Sequence, residues 1–144
     1  MSTNLLTLEG VHTHIGAYHI LHGVDLAVPK GQLTMLLGRN GAGKTTTLRT
    51  VMGLWHASQG RVRFGERDIT ALRTPQIAEL GIAYVPENMG IFSDLTVKEN
   101  MLLAARGAKN AQQMDDTRLQ WIFKLFPAVE KFWNHPAGKL SGGM

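Results

Sequence analysis

Cysteine is absent from the 144 residues. That excludes a disulfide framework, a thiolate metal site and a thiol nucleophile. Long apolar runs are missing as well. No stretch of 18 apolar residues occurs, so nothing reads as a membrane span. Charged residues make up only 18%, below the ordinary share of about 25%. The 15 Lys+Arg against 11 Asp+Glu leave a net charge of +4, but the basic residues form no run. A nucleic-acid partner is therefore not expected. Met1-Ser2-Thr3-Asn4 carries no positive charge and no apolar run follows it, so no leader is expected and a cytoplasmic chain is the default. Internal repeats and low-complexity segments are lacking too. What is present is a 44% hydrophobic chain, enough to bury a core as one domain or as part of a larger one.

Leu6 and Leu8 alternate with Thr7 and read as a short strand. A second strand covers 20–28, with Val24, Leu26 and Val28 on one face. Pro29-Lys30-Gly31 turns the chain. The apolar run Leu33-Thr34-Met35-Leu36-Leu37 suits a strand buried on both faces of a parallel sheet. A helix is expected from Lys44 to about Met52, with Gly53 placed to end it. Strands are expected over 61–64 and 82–85, and a helix opening at Thr74-Pro75 and ending near Leu80. Thr96-Val97-Lys98-Glu99 has capping-box spacing and predicts a helix to about Ala105. Asp115 or Asp116 caps a last helix bearing Leu119, Ile122, Phe123 and Phe126, which Pro127 ends. The change from mixed strands and helices to helices alone divides the chain into 1–86 and 87–144. The seven methionines read as core gap-fillers.

Gly38-Arg39-Asn40-Gly41-Ala42-Gly43-Lys44-Thr45 fits the pattern G-x-x-x-x-G-K-[ST] in full. A triphosphate concentrates negative charge within a few ångströms. Glycines let backbone N–H groups converge on it, because no Cβ blocks the approach. The start of the following helix adds positive potential. Lys44 supplies a full charge, and the Thr45 hydroxyl is placed to ligate Mg²⁺. Gly38, Asn40, Gly41, Gly43, Lys44, Thr45 and Thr46 are therefore the candidate ATP-binding residues. His12, His14, His19 and His22 crowd one region. No Cys or carboxylate completes a metal-ligand set at the usual spacing, so they read as polar strand faces.

A second motif, Leu140-Ser141-Gly142-Gly143, follows about a hundred residues later. It resembles the signature sequence of ABC-type ATPases. Tyr84-Val85-Pro86-Glu87 resembles that family's switch loop, and Leu95-Thr96-Val97-Lys98-Glu99-Asn100 its stretch before the helical subdomain. Leu21-His22-Gly23-Val24, the Glu at 87 and Lys124-Leu125-Phe126-Pro127 are most similar to the ATP-binding subunits of branched-chain amino acid importers. The resemblance implies an α/β fold: a P-loop NTPase of ABC-ATPase type, with a mixed β-sheet core, N-terminal antiparallel strands and a helical subdomain.

It also implies an ATPase coupled to transport, with ATP and Mg²⁺ as cofactors. Ser141, Gly142 and Gly143 would bind the γ-phosphate of a second ATP held by a partner ATP-binding subunit, in a homo- or heterodimer. Glu87 would sense the nucleotide and the membrane partner and is a second candidate Mg²⁺ ligand, and the helical part would dock on transmembrane permease subunits at the inner face of the membrane. The apolar strand ending in Asp-Glu and the later His of such enzymes do not occur by Met144, so no catalytic residue beyond the Glu87 candidate is assigned and an N-terminal part with little turnover is expected. Without the strand beside 33–37, an exposed apolar edge is expected. Ile15-Gly16 stands where the family has an aromatic-Gly pair that stacks adenine; the ring of Tyr18 or of the adjacent His14 could take that place, and Tyr18 is the candidate carried forward. Alternatives are a urea or other polar-solute importer ATPase and a P-loop small-molecule kinase.

Overall fold

The computed structural model describes residues 3–87, 90–106 and 116–140. The chain divides into two compact units, one ending at Tyr84 and the other beginning at Val85.

The first unit is built on an antiparallel sheet. Its strands are β1 (Asn4–Ile15), β2 (Tyr18–Pro29), β3 (Gln59–Phe64) and β4 (Arg67–Asp68), in the order β2-β1-β3-β4. Gly16, at a φ of 61°, turns β1 into β2. Both long strands extend beyond the runs that alternation predicts, because they pair with each other out to Ile15 and Tyr18. Leu8, Val11 and Leu21 project from the hairpin into the core, where they meet Val62, Ile69 and Ile77. Helix α1 (Lys44–Val51) adds Val51 and Met52, and α2 (Thr74–Glu79) supplies Ile77. Thr13 and Thr50 hydroxyls, both buried, hydrogen-bond each other at 3.0 Å and so satisfy the polar groups this packing covers. Val24, Leu26 and Val28 share the half-buried side of β2, as their period of two requires. Gly53, at a φ of 74°, follows α1 as the C-terminal stop.

The buried parallel strand expected at 33–37 does not form. Residues 33–39 have no assigned secondary structure, and Leu33, Met35 and Leu37 are 92%, 70% and 79% exposed. The run 82–85 is likewise unpaired, although Ile82 and Tyr84 pack against the core from one side. The reason is that a strand is not a local structure. An apolar run becomes one only beside a ladder partner, and parallel partners come from far along the chain. Among the described residues neither run has one. Met35 consequently fills no gap in a core, unlike the buried Met52.

The second unit contains α3 (Val97–Arg106), α4 (Asp116–Leu125), α5 (Pro127–Lys131) and a 3₁₀ turn at Ala137–Lys139. The capping box is present. The Glu99 N–H donates to Thr96 Oγ1 at 3.1 Å and the Thr96 N–H donates to Glu99 Oε1 at 3.0 Å. Donation by Thr96, first from its N–H and then from its side chain, holds the Glu99 carboxyl below its ordinary value of 4.5. Thr96→Ala should cost about 1 kcal/mol in a urea titration. A lowered carboxylate stabilises the fold above its ordinary pKa and loses that contribution as pH falls through the folded value. The wild-type advantage over Glu99→Gln, whose side chain does not titrate, should therefore shrink on acidification below about pH 4.5.

Pro127 departs from expectation. It closes α4 but opens α5 at the first helical position, where its missing N–H costs nothing. Trp133 is half-buried, edge-on to Phe123 at 5.1 Å. Trp121 is 62% exposed and so is not a core residue of this unit. None of the described helices is long and apolar enough to cross a membrane.

Candidate functional site

The segment after β2 ends in a glycine-rich loop that feeds α1. Gly41 and Gly43 have φ values of 86° and 96°, in the left-handed region that side chains disfavour. Gly43 is also the helix N-cap. A Cβ there would sit 2.9 Å from Leu21 Cδ2, so a side chain at 43 would have to displace Leu21 where the loop lies on β2. No side chain caps α1 and no acidic residue stands in its first turn. The first-turn amides are thus left for an acceptor from outside the chain, with the helix dipole favouring an anion.

Asn40, Gly41, Gly43, Lys44, Thr45 and Thr46, together with Ile20 of β2, line an open cavity of about 330 Å³. Within it, Lys44 Nζ donates to the carbonyl oxygens of Gly38 and Arg39, the latter at 3.0 Å. The ammonium therefore stands over the loop that its motif assigns it to. Thr45 is exposed at the helix start, so its hydroxyl is open to the cavity side. Thr47, by contrast, is buried, and its hydroxyl donates back to the Gly43 carbonyl at 2.8 Å. The lining thus offers backbone amides, the Lys44 ammonium, the Asn40 amide and the Thr45 and Thr46 hydroxyls. This is the chemistry that a Mg²⁺-bound polyphosphate fits, and no carboxylate lines it to hold a bare cation. Among the described residues, no group of three His, Cys, Asp or Glu side chains could hold a metal ion.

Tyr18 opens β2 directly opposite Ile15. The pairs Thr13–Leu21, His14–His19 and Ile15–Tyr18 alternate between faces. Tyr18 therefore lies on the side of Leu21, the residue that touches the phosphate loop, and its ring is 74% exposed. Glu87 is exposed in the second unit. Ser141, Gly142 and Gly143 lie outside the described residues.

Ile20 was not among the residues expected to line the site. Two bulges on β2, at Ile20 and Gly23, break the alternation. A strict period of two therefore misassigns the faces around them. The glycine at 23 is the only local sign of this in the sequence.

Comparison with known proteins agrees with this geometry. The profile of the ABC transporter family matches residues 21–144. The high-affinity branched-chain amino acid transport ATP-binding protein BraG of Pseudomonas aeruginosa is 35% identical over 139 residues, which is 96% of this chain and 59% of that protein. A probable branched-chain amino acid transport ATP-binding protein, LivF, of Archaeoglobus fulgidus is 37% identical over 125 residues, 87% of this chain and 52% of that one. The chain thus spans a little over half the length of these relatives. ATP-binding proteins for sulfate/thiosulfate and zinc import also match, at 31% and 34% identity.

Among solved structures, an ATP-binding subunit of an ABC transporter superposes with a TM-score of 0.85 at 26% identity, covering 97% of this chain and 57% of that one. The ADP conformation of the cassette MJ1267 gives 0.73 at 26%, covering 99% and 61%. The antiparallel sheet, the glycine loop opening α1 and the helical second unit are accordingly those of an ABC-type ATPase cassette, and the chain belongs to the ABC transporter family.

Proposed function

We propose that this chain is the nucleotide-binding part of an importer ATPase, holding MgATP in the loop 38–45 and energising uptake of branched-chain amino acids. The observation that carries the nucleotide assignment is the loop itself. Uncapped first-turn amides, two left-handed glycines and the Lys44 ammonium all converge on one cavity. Such an arrangement offers several adjacent negative charges backbone amides and an ammonium in one place. Lys44 would leave the carbonyls of Gly38 and Arg39 for the terminal phosphates. The Thr45 hydroxyl would take a place on Mg²⁺, with Glu87 as a second candidate there, while Asn40 and Thr46 border the phosphates. Bound Mg²⁺ would supply charge neutralisation between the phosphate oxygens.

Tyr18 is proposed to stack on adenine in place of the aliphatic Ile15, since it stands on the loop-facing side of the hairpin with a free ring face. Aromatic stacking of this kind contributes about 1 kcal/mol beyond buried area. Tyr18→Ala should weaken MgATP binding roughly fivefold, whereas Tyr18→Trp should keep it. Equal affinities for Tyr18→Ala and wild type in calorimetric titration would remove Tyr18 from the site.

Ser141, Gly142 and Gly143 are proposed to close a second nucleotide site across a dimer of ATP-binding subunits, with permease subunits holding that dimer at the membrane. The stretches Leu21-His22-Gly23-Val24 and Lys124-Leu125-Phe126-Pro127, with the matches to two branched-chain amino acid transport ATP-binding proteins, support that solute. The sulfate/thiosulfate relative, at 38% identity over 141 residues, supports a polar-solute importer as the second reading. Family membership favours either over a small-molecule kinase. Deleting the gene and measuring uptake of labelled leucine and labelled sulfate separates the two. Loss of leucine uptake alone is expected, and loss of sulfate uptake alone would select the second reading.

A further inference from the structure

The hairpin that supports the phosphate loop carries four imidazoles on its other face, and we propose that this stack makes nucleotide binding proton-sensitive. Charging it would loosen the strand ends that present Tyr18 and Ile20 to the nucleotide. The inference rests on the nucleotide reading above.

The geometry is specific. His12 pairs with His22 and His14 with His19 across the two strands, alternating with the core-facing Val11, Thr13 and Leu21. Residues 19 and 22 differ in parity, and regular pleating would send them to opposite faces. The bulge at Ile20, which lies between them, brings them to one. The rings then lie 4.2 Å apart for His14 and His19, 3.9 Å for His19 and His22, and 5.1 Å for His12 and His19. His12 Nδ1 and His19 Nε2 are 3.0 Å apart, one donating to the other, so at least one of those two rings must be neutral.

No carboxylate acts on His19, and the hairpin's carboxylates, Glu9 and Asp25, stand farther along it, Glu9 opposite Arg61 of β3. His14 Nδ1 and Ser58 Oγ are 2.9 Å apart, ahead of β3, and Gln59 of β3 pairs with His12. Farther along β2, the Asp25 carboxylate accepts the Gly10 N–H at 2.8 Å. The charges that act on His19 are those of His22, His14 and His12. Desolvation first, and then those neighbours, hold its imidazole below the ordinary 6.5. The unfolded hairpin therefore binds more protons than the folded one just below that value. Its stability is complete above about pH 6.5 and declines as pH falls below it. The strand that would loosen contains Ile20, a wall of the cavity, and begins at Tyr18.

The test is calorimetric titration with MgATP at pH 7.5 and at pH 5.5, on the full natural chain and on His14→Gln/His22→Gln. That variant removes two charges and leaves the His12–His19 bond. Taking the ratio of wild-type to variant Kd at each pH cancels proton uptake by the nucleotide itself. The ratio should rise about fivefold between pH 7.5 and pH 5.5, like charges a few ångströms apart being the source. An unchanged or falling ratio overturns the proposal. If the double variant fails to fold, His22→Gln alone is read in the same way. Absence of MgATP binding by every protein at pH 7.5 would instead overturn the nucleotide reading, and this inference with it.

Discussion

Lys44→Ala should abolish measurable MgATP binding, a loss of about a hundredfold or more. The cavity holds one motif ammonium, and that group already lies against the Gly38 and Arg39 carbonyls at its rim. Charge-assisted hydrogen bonds of a lysine to phosphate contribute about 1.5–3 kcal/mol each, and more than one is lost with the side chain. Lys44→Arg should restore little. A planar guanidinium is bulkier than an ammonium and cannot occupy the same point beside Gly38, where a Cβ would already meet the Ala42 methyl at 3.2 Å and Lys44 Cδ at 3.7 Å. The measurement is MgATP titration of the full natural chain, with circular dichroism to show that each variant is folded. Unchanged affinity in a folded Lys44→Ala would remove the loop from the nucleotide site.

Gly60→Ala should be the most damaging single methyl in the first unit, costing about 3 kcal/mol or more in a urea titration. Gly60 has a φ of 84° and lies where β1 bulges past β3, between the pairs Glu9–Arg61 and His12–Gln59. A Cβ would fall on the carbonyl oxygens of Glu9 and Gly10, well inside the 3.0 Å that real Cβ atoms keep, and both obstacles are backbone. Strain in φ and a clash that no rotamer can relieve therefore add. Gly65→Ala is the control. Its φ of 61° is also left-handed, but nothing lies within 4 Å of the added carbon. It should cost about 1 kcal/mol, and a similar loss in both would refute the steric argument.

Much of the site was legible because its chemistry is local. Gly38 through Thr45 are contiguous, and the loop needs glycines, a lysine and a hydroxyl at set offsets whatever surrounds them. The same holds for the Thr96–Glu99 capping box, where both hydrogen bonds close within three residues. Local rules failed where pairing decides. The run 33–37 has the composition of a buried strand, yet stays exposed because no ladder partner lies beside it among the described residues. Those side chains should make the 144-residue chain associate on concentration, and Leu33→Lys/Leu37→Lys should reduce the turbidity.

Residue type and spacing alone determined the phosphate-binding loop, the helix it opens, the capping of α3 and the family likeness, since each depends on atoms a few residues apart. Only the tertiary structure decided the faces of β2. Two bulges shift its register, carry Ile20 to the nucleotide cavity, leave Tyr18 on the loop side and gather four histidines on the other. A bulge is a property of two paired strands, set by which residues of one lie opposite the other, and no single run of sequence contains it.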